Sequence, residues 1–374
     1  QHNFLSILPL HHAFPLMATL LFPLFVKNKI TYLASLKQEE IFTCIKESKV
    51  TVFVGVPQLF GLIAQAIQHE IAKMTFYARL PLKGAMNILW LTRRLTHLNF
   101  SKLLFKKIHS KFGKQFKYLA SGGAKFDKNA EILLNKVGFT FIQGYGLTET
   151  SPVVTFNPVN KPRIGSAGKL IPNVDVKIEK TEGLSNGEVL VRGPNVMKGY
   201  YKDKNATDEV IKEGWLHTGD LGYLDKNNYL FLTGRKKEII VLSNGKNISP
   251  EEVENHYSQS QYIKEICVLA VPEGDEEKLM AIILPDFEHF KKINEVNIDF
   301  SVRWDVENFS KNLPAYKRIR GFVLAKQEFP KTRLGKLKRY EIETKYKEEI
   351  LGGKSQKEEY EPTEGDLELL SSPV

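Results

Sequence analysis

The run G-Y-G-L-T-E-T at residues 144–150 follows directly on an apolar, strand-like stretch at 139–143, and this junction constrains the fold more than any other feature. A strand that ends in glycines and a short polar turn fits the carboxyl end of a strand in an open α/β sheet, where ligands bind. Glycine allows positive φ and close backbone approach, a threonine hydroxyl can bond an oxygen, and a glutamate beside it is a hard oxygen ligand. Such a turn can hold a phosphate with a divalent cation. Taken alone, it can equally be a plain strand-end turn.

The surrounding segments alternate in period. Residues 38–48 read as helix, 51–56 as a strand ending at Pro57, 59–71 as helix and 117–120 as strand. Asp127 then caps a helix running to about Val137. This alternation predicts an α/β fold whose large domain is a mostly parallel sheet with helices. Between residues 164 and 232 the short runs V-D-V-K-I-E, G-E-V-L-V-R-G and N-Y-L-F-L-T, separated by Gly, Asn and Pro, predict a small antiparallel β subdomain at about 153–233. After Gly234 the pattern predicts a strand at 239–242, a tight turn at Asn244-Gly245 and a capping box at Ser249-Pro250-Glu251-Glu252. Strands at 266–271 and 279–284 complete a small α+β carboxyl-terminal domain, 237–347. Residues 348–374 are acidic and poor in large apolar side chains, and read as a disordered tail.

The net charge of +10 is unevenly placed: residues 71–126 hold twelve Lys or Arg and no Asp or Glu. Trp90, Leu91, Leu95, Phe100, Leu103, Leu104 and Phe105 are interleaved with them. A basic amphipathic helix of this kind suits an anionic membrane surface, an acidic carrier protein or a polyphosphate substrate; the alternative is a solvated helical face. Membrane contact requires those apolar side chains to be exposed rather than packed against the large domain. No nucleic-acid-binding motif accompanies the charge, so nucleic acid is not an expected partner. The apolar run at 16–26 is too short, and broken by Pro23, to span a bilayer; it reads as a buried helix. The two cysteines, Cys44 and Cys267, read as separate buried thiols. With no secretory signal in the opening Q-H-N, they predict a cytoplasmic protein, peripheral at the inner membrane face if the basic segment docks there.

Four more clusters fall in a fixed order: S-G-G-A at 121–124, W-L-H-T-G-D at 215–220, G-R-K-K-E-I-I at 234–240 and P-K-T-R-L-G-K at 330–336. From near residue 1 to about residue 347 this ordered set resembles the adenylate-forming family of acyl-CoA synthetases, firefly luciferase and nonribosomal-peptide adenylation domains. G-Y-G-L-T-E-T-S-P together with S-N-G-K-N-I-S-P-E-E-V-E is most similar to the long-chain fatty acyl branch. The resemblance implies ATP-dependent activation of a long-chain fatty acid to acyl-AMP and transfer to coenzyme A, with ATP, Mg2+ and coenzyme A bound. Residues 1–236 would be the carboxyl-terminal part of the large AMP-binding domain.

By the same resemblance Thr148 and Glu149 contact phosphates and magnesium, with Glu149 as the metal ligand. Gly144, Tyr145 and Gly146 line the nucleotide turn with Tyr145 against the adenine, and Gly122, Gly123 and Ala124 pack on the adenine face. Asp220 accepts the ribose hydroxyls and Arg235 donates to the ribose. Lys336 bridges the carboxylate and the α-phosphate, and the small domain that carries it closes for adenylation and rotates about Lys237 for the thiol step. His12 in P-L-H-H lies near the acyl pocket; with His11 beside it but no Cys or carboxylate nearby, it is a weak metal signal.

Two departures qualify the match. The family's Ser/Thr/Gly-rich loop ending in Pro-Lys, which folds over the β- and γ-phosphates ahead of P-L-H-H, does not occur in these residues, and the expectation is a fragment that starts after it. Asn244 stands where many thioester-forming relatives carry glycine, with Gly245 next. An acyl-acyl-carrier-protein ligase and a non-catalytic nucleotide-binding protein are the alternatives.

Overall fold

The computed structural model describes residues 1–35, 37–96, 98–180, 186–242, 245–274, 276–331 and 337–351. The chain divides into two compact units, the first comprising Gln1–Glu179, Glu188–Thr218 and Gly222–Leu232, the second chiefly the residues from Thr233 onward together with Gly219–Leu221.

The first unit opens with β1 (Asn3–Ser6), α1 (Ala13–Pro15), a π-helical passage (Leu16–Leu21) and α2 (Phe22–Phe25). Then come β2 (Lys29–Tyr32), α3 (Gln38–Glu47), β3 (Val52–Gly55), α4 (Pro57–Ala72) and α5 (Phe76–Thr96). The short helices α6 (Ser101–Leu104) and α7 (Lys106–Phe112) lead to β4 (Tyr118–Ser121), α8 (Lys128–Val137) and β5 (Thr140–Tyr145). Local chemistry accounts for the boundaries. Pro57 starts α4 at a position where its missing N–H costs nothing. The Asp127 carboxylate caps α8 by accepting from Ala130 N at 2.7 Å, and Gly138 stops it in the left-handed region.

Strands β2-β1-β3-β4-β5 lie side by side and parallel. Side chains alternate across them. Leu5, Phe53, Leu119 and Phe141 join Ile41, Ile45, Phe60 and Leu134 in the main core. Phe4, Val52, Val54, Ala120 and Ile142 form the opposite face, against which Phe14 and Ala18 pack. Only one narrow side of the 16–26 passage is therefore used. Leu21, Phe22, Leu24, Phe25 and Val26 are exposed, Phe25 to 87%, which corrects the expectation of a buried helix. The run is apolar throughout, so its sequence held no sign of which side faces inward. Cys44 also differs from expectation, being only half-buried, whereas Cys267 is fully buried.

The antiparallel part consists of β6 (Thr155–Phe156), β7 (Gly168–Leu170), β8 (Asp175–Lys180), β9 (Gly187–Arg192), α9 (Lys204–Val210), β10 (Ile211–Lys212), β11 (Trp215–Leu224) and β12 (Tyr229–Arg235). It is hydrogen-bonded to the parallel part through the antiparallel β5–β6 pair, giving one path ordered β2-β1-β3-β4-β5-β6-β7-β12-β11-β9-β8. Val154, Val174, Val189, Val191 and Leu230 form its own small core.

In the second unit β13 (Ile240–Val241) pairs with β14 (Asn247–Ile248), followed by α10 (Pro250–Tyr257). Strand β15 (Ile263–Glu273) runs antiparallel to β16 (Glu276–Pro285), and after α11 (Phe287–Ile293) and α12 (Ile298–Ser310) comes β17 (Gly321–Leu324), parallel to β16. Helix α13 (Arg339–Leu351) closes the described chain, so residues 348–351, expected in the disordered tail, are helical, and the rest of that expected tail, 352–374, lies outside the described residues. Alternation again divides the side chains. Ile266, Val268, Ala281 and Ile283 pack with Val253, Tyr257 and Val302, while Cys267, Leu269, Ile282 and Leu284 pack with Ile342, Tyr346 and Ile350. The expected capping box does not form. Ser249 occupies the N-cap of α10, but its hydroxyl donates to Thr233 O at 3.1 Å, and Glu252 instead pairs with Lys317 at 2.6 Å.

Candidate active site

Parallel neighbours β4 and β5, paired Ser121 with Gln143, bring S-G-G-A and G-Y-G-L-T-E-T out side by side at their carboxyl ends. Gly123 has φ +87°, a conformation suited to glycine. A Cβ on Gly146 would lie 1.5 Å from Pro152 O, so only glycine fits where the chain doubles back. Buried Thr150 locks this turn: its Oγ1 accepts from Leu147 N at 2.8 Å and shares its proton between Leu147 O and Pro152 O at 3.0 and 3.1 Å. With Thr150 committed to the backbone, Thr148 is left exposed and Glu149 half-buried on the short 3-10 helix Thr148–Thr150. Tyr145 packs in part on the small valine-rich core.

A second segment, 195–200, braces the turn and was not singled out from sequence. Asn195 Nδ2 donates to Thr150 O and Val153 O at 3.2 and 2.8 Å, and Met197 N donates to Glu149 O at 2.8 Å. Tyr200 OH donates to Glu149 Oε1 at 2.9 Å. Burial and the adjoining Glu149 carboxylate push the Tyr200 phenol up, which keeps it a donor. No motif signals Tyr200, because it reaches Glu149 across 51 residues of chain.

Next to the turn, Glu131 of α8 is fully buried. Its Oε2 accepts from Gln143 Nε2 at 2.7 Å and from Gly165 N at 2.9 Å, while Oε1 is buried with no hydrogen-bond partner. Burial raises this carboxyl to about 7. His12 sits half-buried, its ring 4.3 Å from that of His11 between centroids and tilted 43° to it, with Nε2 buried and unpartnered. It adjoins Phe14, whose ring packs against Gly122.

In the second unit Asp220 is buried, and Arg235 Nε reaches its Oδ1 at 2.9 Å, so these two sequence-assigned residues stand together. Lys237 is exposed on a short 3-10 turn, Lys236–Glu238. Lys336 and Asn244 lie outside the described residues, but the chain on either side of Lys336 is held closely. Glu265 accepts from Lys331 Nζ at 2.5 Å and from Phe329 N at 3.2 Å, Lys331 bridges Leu337, and Lys338 N donates to Pro330 O at 2.9 Å. Arg339 then grips both oxygens of buried Glu254 at 2.5 and 2.6 Å. Among the described residues, the metal-ligating side chains that converge within 4.8 Å are Glu179, Glu188 and His217 on β8, β9 and β11, a group that does not include the assigned Glu149.

Residues 1–201 match the AMP-binding enzyme family, and 237–355 match the AMP-binding enzyme C-terminal domain. The long-chain-fatty-acid--CoA ligase FadD15 of Mycobacterium bovis is 31% identical over 264 residues, covering 68% of this chain and 43% of that protein. The chloroplastic long-chain-fatty-acid--[acyl-carrier-protein] ligase AEE15 of Arabidopsis thaliana is 30% identical over 347 residues, covering 78% of this chain and 46% of that protein. The chain thus spans a little under half the length of these curated relatives. Among solved structures, the ATP-bound RpMatB-BxBclM chimera B1 matches with a TM-score of 0.73 at 21% identity, over 92% of this chain and 60% of that one. O-succinylbenzoate coenzyme A synthetase from Bacillus subtilis, in complex with ATP and magnesium ion, matches at 0.68 and 21% identity, over 91% and 61%. These two likenesses concern the fold. With both of its family models matched in order, the chain belongs to the AMP-binding, adenylate-forming enzyme family.

Proposed function

We propose that the protein carrying this chain activates a long-chain fatty acid with ATP and passes the acyl group to coenzyme A. In the first step the fatty carboxylate attacks the α-phosphate, a P–O bond forms to the acyl oxygen, and pyrophosphate leaves. In the second the thiol sulfur attacks the acyl carbon of acyl-AMP, AMP leaves with the C–O bonding pair, and the thiol proton is released. The observation that carries this reading is the ordered motif set, whose phosphate turn stands at the carboxyl end of β5 with Glu149 held by Tyr200.

The residues present fit a magnesium ion: Mg2+ takes one or two carboxylates beside substrate phosphates, and Glu149 offers a second oxygen beyond the one Tyr200 engages. When bound, the ion neutralises phosphate charge. Thr148 donates to a phosphate oxygen, and Gly122, Gly123 and Ala124 give the adenine a flat seat, with Tyr145 against the ring. Asp220 accepts from the ribose hydroxyls while Arg235 donates, and Lys336 stabilises the charge that develops between carboxylate and α-phosphate. Lys237 serves as the hinge between the two half-reactions, and His12 borders the acyl pocket.

In the full-length protein, Lys336→Ala is expected to lower fatty-acid-dependent pyrophosphate release at least about 100-fold, in line with removal of one preorganised donor to transition-state charge. Wild-type rates in that variant would refute the assignment. A second acceptor is favoured by the similarity to the acyl-carrier-protein ligase and by the acid-free basic segment at 71–126. Rates with coenzyme A and with acyl carrier protein, measured on the same acyl-adenylate, distinguish the two.

A further inference from the structure

Helix α5 carries two apolar faces. The inner one is anchored: Met86 is buried, Leu82 packs against the main core, and Arg93 donates to Phe139 O at 2.9 Å and to Thr140 Oγ1 at 2.8 Å. The outer one consists of Tyr77, Leu80, Ile88, Leu91 and Leu95, all exposed, with Leu80 62%, Ile88 64% and Leu95 72% accessible. At 3.6 residues per turn these five fall within an arc of about 80° on the side opposite Met86. The stripe continues past the helix end through exposed Leu98, Phe100, Leu103 (74%) and Leu104. A row of this kind, interrupted on α5 only by Gly84 and presented outward by a helix whose other side is fixed, is a surface built for an apolar partner.

The charge beside the row shows which one. Lys83, Lys102, Lys106, Lys107, Lys111 and Lys114 are exposed within the same stretch, where residues 71–126 contain no acidic side chain. An ordinary solvated helix mixes both signs and keeps leucines off its outer side. Exposed leucines and exposed lysines in one acid-free stretch meet the two requirements of an anionic bilayer: apolar side chains enter the acyl boundary and cations lie among the headgroups. No helix among the described residues is long and apolar enough to cross a membrane, so α5 would lie in the interface plane.

We infer that the outer face of α5, continued through α6 and α7, seats the protein on an anionic lipid bilayer. The inference stands on this surface alone. Vesicle binding needs neither ATP nor turnover, so it can fail while the ligase reading holds, and the converse.

The test is flotation of the full-length protein with phosphatidylcholine vesicles, with and without phosphatidylglycerol, at low and high salt. Expected is binding to the anionic vesicles that falls as salt screens the lysines. Lys106→Gln with Lys107→Gln should weaken the partition about thirty-fold, roughly five-fold for each charge. Leu91→Ser with Leu95→Ser should weaken it at least about ten-fold, while Lys212→Gln with Lys226→Gln, an equal charge loss elsewhere, should leave it within about two-fold. Both leucines are exposed, and unchanged melting curves will show that their variants fold. Equal binding to both vesicle types, no binding to either, or indifference to the leucine and lysine variants would overturn the inference. So would self-association, or capture of an acidic carrier protein, that depends on the same leucines while vesicles are ignored.

Discussion

Glu131 supplies a stability measurement whose sign follows from the structure. Its carboxyl lies fully buried and bonded to Gln143, next to the Gly144–Thr150 turn, and burial raises it to about 7 from an ordinary 4.5. Asp127 nearby adds to the rise, whereas Lys128 and the hydrogen bonds from Gly165 and Gln143 oppose it. Both of those bonds end on Oε2, so the proton belongs on Oε1, the oxygen without a partner. Below about pH 4.5 the group is protonated in folded and unfolded chains alike, and it adds no pH dependence. Between about 4.5 and 7 the folded state keeps a proton that the unfolded chain gives up, so stability falls as pH rises; above 7 the slope ends. The gap between the two values corresponds to roughly 3 kcal/mol. Glu131→Gln retains an acceptor for Gly165 and Gln143 but cannot ionise. Urea midpoints of variant and wild type should therefore diverge steadily from about pH 5 to pH 7, the variant gaining relative stability, and then keep a constant separation. Taking the difference cancels every other titrating group. A difference that stays constant across that range, or that runs the other way, would refute the argument.

Two further changes probe the braces. Tyr200→Phe removes the hydrogen bond to Glu149 Oε1 without altering shape, and is expected to raise the magnesium concentration for half-maximal pyrophosphate release about 3–10-fold, at unchanged melting temperature. An unshifted magnesium dependence would separate Tyr200 from the metal. Glu254→Gln strips the counter-charge from Arg339, a buried pair held at 2.5 and 2.6 Å, and should cost about 3–5 kcal/mol, read by thermal denaturation. A wild-type melting curve would refute it.

Much of the architecture was legible because its signals are local. Pro57, Asp127 and Gly138 punctuate helices where their backbone chemistry requires, and strands such as V-F-V-G read as apolar because both faces are covered. The motif glycines, Asp220 and Arg235 were singled out from short patterns; that the last two pair with each other was not. What stayed hidden depends on contacts distant in sequence. Tyr200 reaches Glu149, Glu131 meets Gly165 over 34 residues, and Ser249 gives its hydroxyl to Thr233 instead of its own helix. Period also failed where it carried no contrast: an all-apolar stretch like 16–26 shows no inward side, and α5 with apolar residues on two faces can be oriented only by finding what Met86 and Arg93 touch. Lys336, the assignment on which the chemistry most depends, lies outside the described residues.

The sulfur beside Arg339 has a use of its own. Cys267 is fully buried, with Sγ 3.7 Å from Arg339 Nη1, and its thiol is pushed up to about 12 chiefly by burial. Since the thiolate is the form that reacts, Cys267 is chemically silent while the second unit stays closed. The chain's other thiol, half-buried Cys44 on α3, belongs to the first unit. The chain thus carries one reporter in each unit, set at different depths, and their alkylation rates form two independent clocks. The slow one counts how often the body that carries Lys336 opens, with no label introduced.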